Sequence, residues 1–165
     1  MKTFQEFMQE SSLSRIKSKS DKSGIATMSA DRGNLSRKEN QARSKQLQKD
    51  IRSRFGRGPT KLKGSYIEKD EDTGKETRVK EKSFAIDRGK MGKRKFKKEV
   101  KKLGRKYGQD SVLTQTKKTA TLHATRKGGL GPKTKGVGVG KFRAQRKNPE
   151  GQSQIKGKVF SYGNN

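Results

Sequence analysis

Apolar positions are sparse along the chain, and where they occur they recur at helical or alternating spacing. In MKTFQEFMQE, residues 1–10, Phe4, Phe7 and Met8 lie one turn apart, the pattern of a short amphipathic helix. Residues 11–23 are rich in Ser and Lys with few apolar groups and read as a flexible basic linker. Residues 24–30, GIATMSA, suit a first strand, which Asp31, Gly33 and Asn34 end. From Leu35 to Phe55 the pattern is helical, with Leu47, Ile51 and Phe55 four apart and Gly56, Gly58 and Pro59 stopping it. Residues 61–69 and 76–86 flank an acidic turn and predict a hairpin. Val79 is out of phase with Phe84 and Ile86, so a bulge is expected between Glu81 and Ser83. A second helix runs from Lys93 to Tyr107, where Phe96, Val100, Leu103 and Tyr107 form a narrow apolar stripe.

Short strands are predicted over 111–115 and 119–125. The Gly-rich segment 127–141 reads as an open loop, with a strand around Val137 to Phe142 and a closing strand over 156–163. This order predicts an α+β fold. A small antiparallel sheet carries two helices on one face, in the split β-α-β arrangement of ferredoxin-like domains, behind a flexible N-terminal arm. The expected core sets Leu47, Ile51, Phe55, Phe96, Val100 and Leu103 against a sheet containing Phe84 and Leu122. The domain spans 24–165.

Composition limits that core. Leu, Ile, Val and Phe together number 27 of 165 residues, about 16%, below the roughly 20% at which a highly charged chain tends to disorder. No run approaches the roughly 18 apolar residues of a membrane span, and no membrane partner is expected. Cys is absent and His occurs once, which excludes disulfides, thiol catalysis and Cys- or His-rich metal sites. Neither a metal nor a cofactor is expected.

Charge then points to a partner. The formal net charge is +28, and a surface of that sign and size attracts polyanions. The helix at 93–106 holds nine basic residues and one acid, Glu99. Lys93, Arg94, Lys97, Lys98, Lys101, Lys102, Arg105 and Lys106 therefore form a candidate phosphate-binding face, and Lys133, Lys135, Lys141 and Arg143 of the Gly-rich segment extend it. No base-reading motif is present, so DNA or RNA would be bound through phosphates without sequence preference.

Motifs of catalysis are weak. Gly140-Lys141 fails the phosphate-loop pattern, because Lys135 stands where the first Gly belongs and Phe142 where Ser or Thr belongs. The acids Glu68, Asp70, Glu71 and Asp72 sit in a turn without the spacing of a calcium loop. His123 alternates with Leu122 and reads as a surface residue. No catalytic residue is assigned, and the chain is expected not to be an enzyme.

The N-terminal segment MKTFQEFMQE resembles the capsid-targeting propeptide of internal head proteins in T-even-type tailed phages. Met8-Gln9-Glu10, followed by Ser11, matches the tripeptide after which the prohead protease of such phages cuts. The resemblance implies processing at Met8, Gln9, Glu10 and Ser11, with the phage prohead scaffold and its protease as partners of residues 1–10. It implies location inside the capsid and in the host cytoplasm, and no signal peptide is expected to secrete the chain. Charge and resemblance together predict a head-packaged basic protein that binds nucleic acid non-specifically and is ejected with the genome. The alternative from composition is an RNA-binding or ribosome-associated protein. A nucleic-acid-processing enzyme ranks below both.

Overall fold

Along Glu76–Asp87, Phe84 and Ile86 point one way and Ser83 and Ala85 the other, yet all four are buried. A strand covered on both sides cannot belong to a sheet with one solvated face. In the computed structural model the sheet closes on itself, and both sides are packed. The structure describes residues 4–70, 72–130, 133–144, 146–148, 151–155 and 158–163, with side chains from 13 onward except at 144, 151 and 158.

The elements in chain order are α1 (Phe4–Lys22), β1 (Ile25–Ser29), α2 (Arg37–Phe55), β2 (Thr60–Lys69), β3 (Glu76–Asp87), α3 (Lys93–Lys106), β4 (Ser111–Gln115), β5 (Ala120–Ala124), β6 (Gly136–Ala144), β7 (Gly151–Ile155) and β8 (Lys158–Gly163). The strands form a closed barrel in the order β1-β3-β2-β7-β8-β6-β5-β4. Every neighbouring pair is antiparallel, and β4 returns to β1 through Ile25↔Gln115 and Thr27↔Leu113. Closure gives every strand two neighbours, while the far part of the β2–β3 hairpin runs past β1 and β7.

Two cores follow from the two faces. Outside, Leu47 and Ile51 of α2 and Phe96, Val100 and Leu103 of α3 pack on Ala26, Met28, Phe84, Ile86 and Val112. Inside, Ile25, Leu62, Ala85, Ile155 and Phe160 meet Leu13 and Ile16 of α1. Helix α1 lies against β1, β3, β7 and β8 and stops one end of the barrel. Helix α2 starts at a capping box, in which Ser36 Oγ accepts the Glu39 N–H at 3.1 Å and Glu39 accepts the Ser36 N–H at 3.0 Å. Helix α3 comes close to the barrel because Gly104 faces it. A Cβ there would lie 2.7 Å from Thr125 Cγ2 and 2.8 Å from Val112 Cγ1.

The expected open ferredoxin-like sheet is corrected by this closure. Strands β6, β7 and β8 carry the sheet from β5 round to β2. The expected bulge at Glu81 to Ser83 is absent, since β2 and β3 pair without a break from Thr60↔Ala85 to Lys69↔Glu76. The change of phase arises because Ser83 and Ala85 face the barrel interior while Phe84 and Ile86 face the helices. Leu122 pairs with Leu113 on the inner face and not with the helix core. The N-terminal arm is also not a loose one: residues 11–22, read as part of a flexible linker, are helical, with Leu13 and Ile16 buried.

Leu103 is fully buried in the outer core. Leu103→Ala is expected to cost about 2–5 kcal/mol, and at roughly 2–4 °C per kcal/mol for a chain of this size the unfolding temperature should fall markedly. Thermal unfolding followed by circular dichroism checks it, and an unchanged midpoint contradicts the packing described.

Candidate active site

The basic residues singled out from sequence are dispersed. On α3, Lys93, Arg94, Lys97, Lys98, Lys102, Arg105 and Lys106 are exposed and Lys101 is half-buried. Several already have partners: Lys106 Nζ pairs with Asp50 at 2.7 Å, Lys102 with Glu99 at 3.4 Å, and Arg105 Nε donates to the Thr125 carbonyl at 3.1 Å. Lys93, Arg94 and Lys97 line a small hollow of about 210 Å³. Lys133 and Lys135 precede or enter the turn into β6, and Lys141 and Arg143 lie on β6 itself, where Arg143 donates to the Tyr162 carbonyl at 3.3 Å. His123 sits half-buried on the outer face with Nε2 2.7 Å from Thr114 Oγ1. Burial, then Lys97 and Lys101, pushes its pKa down. Met8, Gln9, Glu10 and Ser11 lie within α1, their side chains outside the described residues. Among the described residues no three His, Cys, Asp or Glu side chains cluster to hold a metal. In the turn between β2 and β3, Asp70 accepts the N–H groups of Asp72 and Thr73 at 2.8 and 3.0 Å, a turn-forming role.

The chemistry collects instead along β2 and β3, in residues the sequence reading passed over. A cleft of about 770 Å³ opens there between α2, β2 and β3, lined by Asp31, Glu81, Arg37, Lys63, Lys80 and Lys82. A second cavity of about 400 Å³ lies within the barrel. Gly64, Ser65, Glu81 and Gln152 line both, as parts of the β2–β3–β7 wall that separates them.

Register explains why Glu81 is there. It pairs with Gly64, on the inner face shared with Ser83 and Ala85, and Gly64 leaves room for its side chain. Burial pushes its carboxyl up to about 7, and the nearby Asp31 adds to the rise. Among the described residues no side chain donates a hydrogen bond to it. Asp31, just past β1, is held in place: its Oδ2 accepts the Lys82 N–H at 2.9 Å, its Oδ1 accepts from Ser44 Oγ at 3.4 Å, and Gln109 Nε2 donates to its carbonyl at 3.1 Å. Tyr66 stands at the rim, its hydroxyl pushed up to about 12 by burial and by Glu81 and Glu68.

Deeper inside, Thr27 Oγ1 and Ser83 Oγ are buried without hydrogen-bond partners. Tyr162 donates its hydroxyl to Gln115 Oε1, whose amide nitrogen is also unpartnered. Buried polar groups left unpaired are costly, and a group of them beside a cavity is suited to a polar ligand.

A carboxylate raised towards neutrality, beside a cavity of small-molecule size and with no partner among the described residues, is suited to a small-molecule site. Residues 26–163 match the model of the S-Adenosylmethionine lyase family. The match covers most of the chain, which belongs to that family. No curated protein matches the sequence. The family points to an enzyme and so corrects the expectation of a non-enzymatic, nucleic-acid-binding virion protein, together with its ribosome-associated alternative. Residues 1–10 lie outside the matched span.

Proposed function

We propose that the protein cleaves a carbon–sulfur bond of S-adenosylmethionine, with the substrate held at Glu81. The observation that carries this reading is Glu81 itself, a carboxylate raised to about 7 by burial, with no partner among the described residues, in the lining of both concave sites.

The substrate's charges suit the site. S-adenosylmethionine bears a sulfonium, an ammonium and a carboxylate, a net cation. A chain of net charge +28 repels it at long range, and Glu81 with Asp31 supplies the local negative charge that draws it in. Arg37, Lys63, Lys80 and Lys82 around the cleft suit the carboxylate. A lyase breaks the carbon–sulfur bond without adding water. The bonding pair goes to sulfur, which becomes a neutral thioether, and the carbon it leaves is satisfied within the substrate, by attack of the substrate's own carboxylate oxygen to close a lactone or by loss of a neighbouring proton to form an alkene. A partly buried site that excludes water favours this loss of charge.

The test is direct. The purified chain is incubated with S-adenosylmethionine, and substrate and thioether products are followed by chromatography and mass spectrometry. Thioether formation proportional to protein concentration is expected. Decay at the spontaneous rate overturns the reading.

A further inference from the structure

Where β1 ends, side chains take over its pairing with β3. The ladder of the two strands stops at Ser29↔Ser83. The backbone of Lys82, the residue after Glu81, is held instead by side chains. Its carbonyl accepts from Ser29 Oγ at 2.6 Å, and its N–H donates to Asp31 Oδ2 at 2.9 Å. Ser29 Oγ in turn accepts the Asp31 N–H at 3.0 Å, so the three residues form a closed bracket. The segment that carries Asp31 is fixed by further bonds that do not use its carboxylate. The Ala30 carbonyl accepts from Arg43 Nε at 2.8 Å, the Asp31 carbonyl from Gln109 Nε2 at 3.1 Å, and Asn40 Oδ1 takes the Arg32 N–H at 2.9 Å. Asp31 is also the one acid besides Glu81 among the described residues lining either concave site. The other titratable groups around Glu81 are Arg37 on α2, Lys63 and Tyr66 on β2, and Arg78, Lys80 and Lys82 on β3; β7 faces it with the neutral Gln152.

We propose that Asp31 is a positioning residue for Glu81, one whose carboxylate grips the backbone beside Glu81 and holds a second, fixed negative charge near it. The role of Glu81 rests on the lyase reading above, whereas the bracket rests on the hydrogen bonds of Ser29 and Asp31. Two effects follow, and they separate. The grip sets where Glu81 stands, on a stretch of β3 that β1 no longer pairs. The charge disfavours ionisation of Glu81, as a like charge does, and so adds to burial, the larger cause. Asp31 therefore draws in a cationic substrate but keeps more of Glu81 protonated below neutrality, and its net effect on activity changes with pH.

Three variants divide the two effects. Asp31→Asn keeps an oxygen for the Lys82 N–H and removes the charge. Asp31→Ala removes both, and Ser29→Ala opens the bracket but leaves the charge. In Asp31→Asn the pH midpoint of kcat/KM should fall from about 7 but stay above 4.5, by less than half of that interval, since burial remains. The loss should fall mainly on KM, which rises by up to about fivefold. Asp31→Ala should show the same midpoint and, in addition, a kcat lower by roughly tenfold or more, because Glu81 is no longer held in place. Ser29→Ala should lower kcat with the midpoint unmoved, and it carries the positional test if Asp31→Ala fails to fold. A purely structural role would move stability and kcat but not the midpoint. A wild-type midpoint in Asp31→Asn, or wild-type kcat in the folded alanine variants, overturns the proposal. The ionisation of Glu81 is also read without substrate, by carbon-13 NMR of its carboxyl in the full chain, the signal assigned by its absence from Glu81→Gln. A chain whose Glu81 titrates lower in Asp31→Asn but that leaves S-adenosylmethionine intact loses the lyase reading and keeps the coupling of the two carboxylates. One that cleaves S-adenosylmethionine while that titration is unmoved keeps the lyase reading and loses the proposal.

Discussion

Glu81→Gln should lower kcat/KM for S-adenosylmethionine cleavage roughly 10²–10⁴-fold and at the same time raise the stability of the protein above pH 7. The loss follows from removing the negative charge that faces a cationic substrate in a partly buried site. Breaking one side of such a pair costs about 3–5 kcal/mol, and each 1.36 kcal/mol is about a factor of ten. The gain follows from the pKa of Glu81, raised from 4.5 to about 7. A group whose folded value is raised contributes stability fully present below its unfolded value and lost as pH rises through its folded value. Wild-type protein should therefore lose stability between about pH 4.5 and 7, by at most about 3 kcal/mol. The Gln variant, with no charge to form, should keep it. The same ionisation sets the activity profile: wild-type kcat/KM rises with pH through about 7, since the carboxylate form attracts the substrate, and the variant's residual activity stays flat there. A variant that kept wild-type kcat/KM would remove Glu81 from the site. One that lost activity together with stability would make it a structural residue.

That carboxylate could be noticed in the sequence but not interpreted. Val79, Glu81, Ser83 and Ala85 share a phase along β3, and a charged residue in that phase is odd only once the inner face is known to be enclosed. The helices were legible because their signals are local. The Ser36–Glu39 capping box and Gly56, with φ 75°, bound α2, and the stripe of Phe96, Val100 and Leu103 faces inward on α3. Closure was not legible because it depends on pairings distant in sequence. Strand β7, GQSQI, has one apolar residue, Ile155, and no alternation to mark it, yet it joins β2 to β8. Asp31 and Glu81 become neighbours only through the pairing of β1 with β3. The charge count misled for a related reason. It adds charges without regard to partners, and several of the cations it stressed are engaged, as Lys106 is by Asp50 and Lys102 by Glu99. The residue with the strongest claim to chemistry is an acid in a basic chain.

The Gly-rich run into β6 offers the sharpest test of the barrel, because two glycines two residues apart should behave oppositely. Gly140 has φ +92°, a conformation L side chains rarely adopt, and a Cβ there would overlap the carbonyl group of Gly163 and lie 2.8 Å from its Cα. The obstacle is backbone, so it cannot swing aside. Gly140 also sits where the β5–β6 register shifts between Ala120 and Thr121, next to the Lys141↔Gly163 pair that begins the β6–β8 ladder. Gly138 has no positive φ and nothing within 4 Å of its Cβ position. Gly140→Val should therefore combine backbone strain of about 1–3 kcal/mol with steric displacement of about 1–3 kcal/mol. At roughly 2–4 °C per kcal/mol, the unfolding temperature should fall by about 5–20 °C. Gly138→Val should stay within about 0.5 kcal/mol of wild type. Hydrogen exchange adds a spatial readout. In Gly140→Val, protection should be lost first at the amides of 141–144 and 160–163, while α2 and α3 keep theirs, since their core is formed with β1, β3 and β4. Equal unfolding temperatures for the two variants would mean that β6 and β8 do not meet at Gly140 and Gly163, and that the barrel is open along that seam.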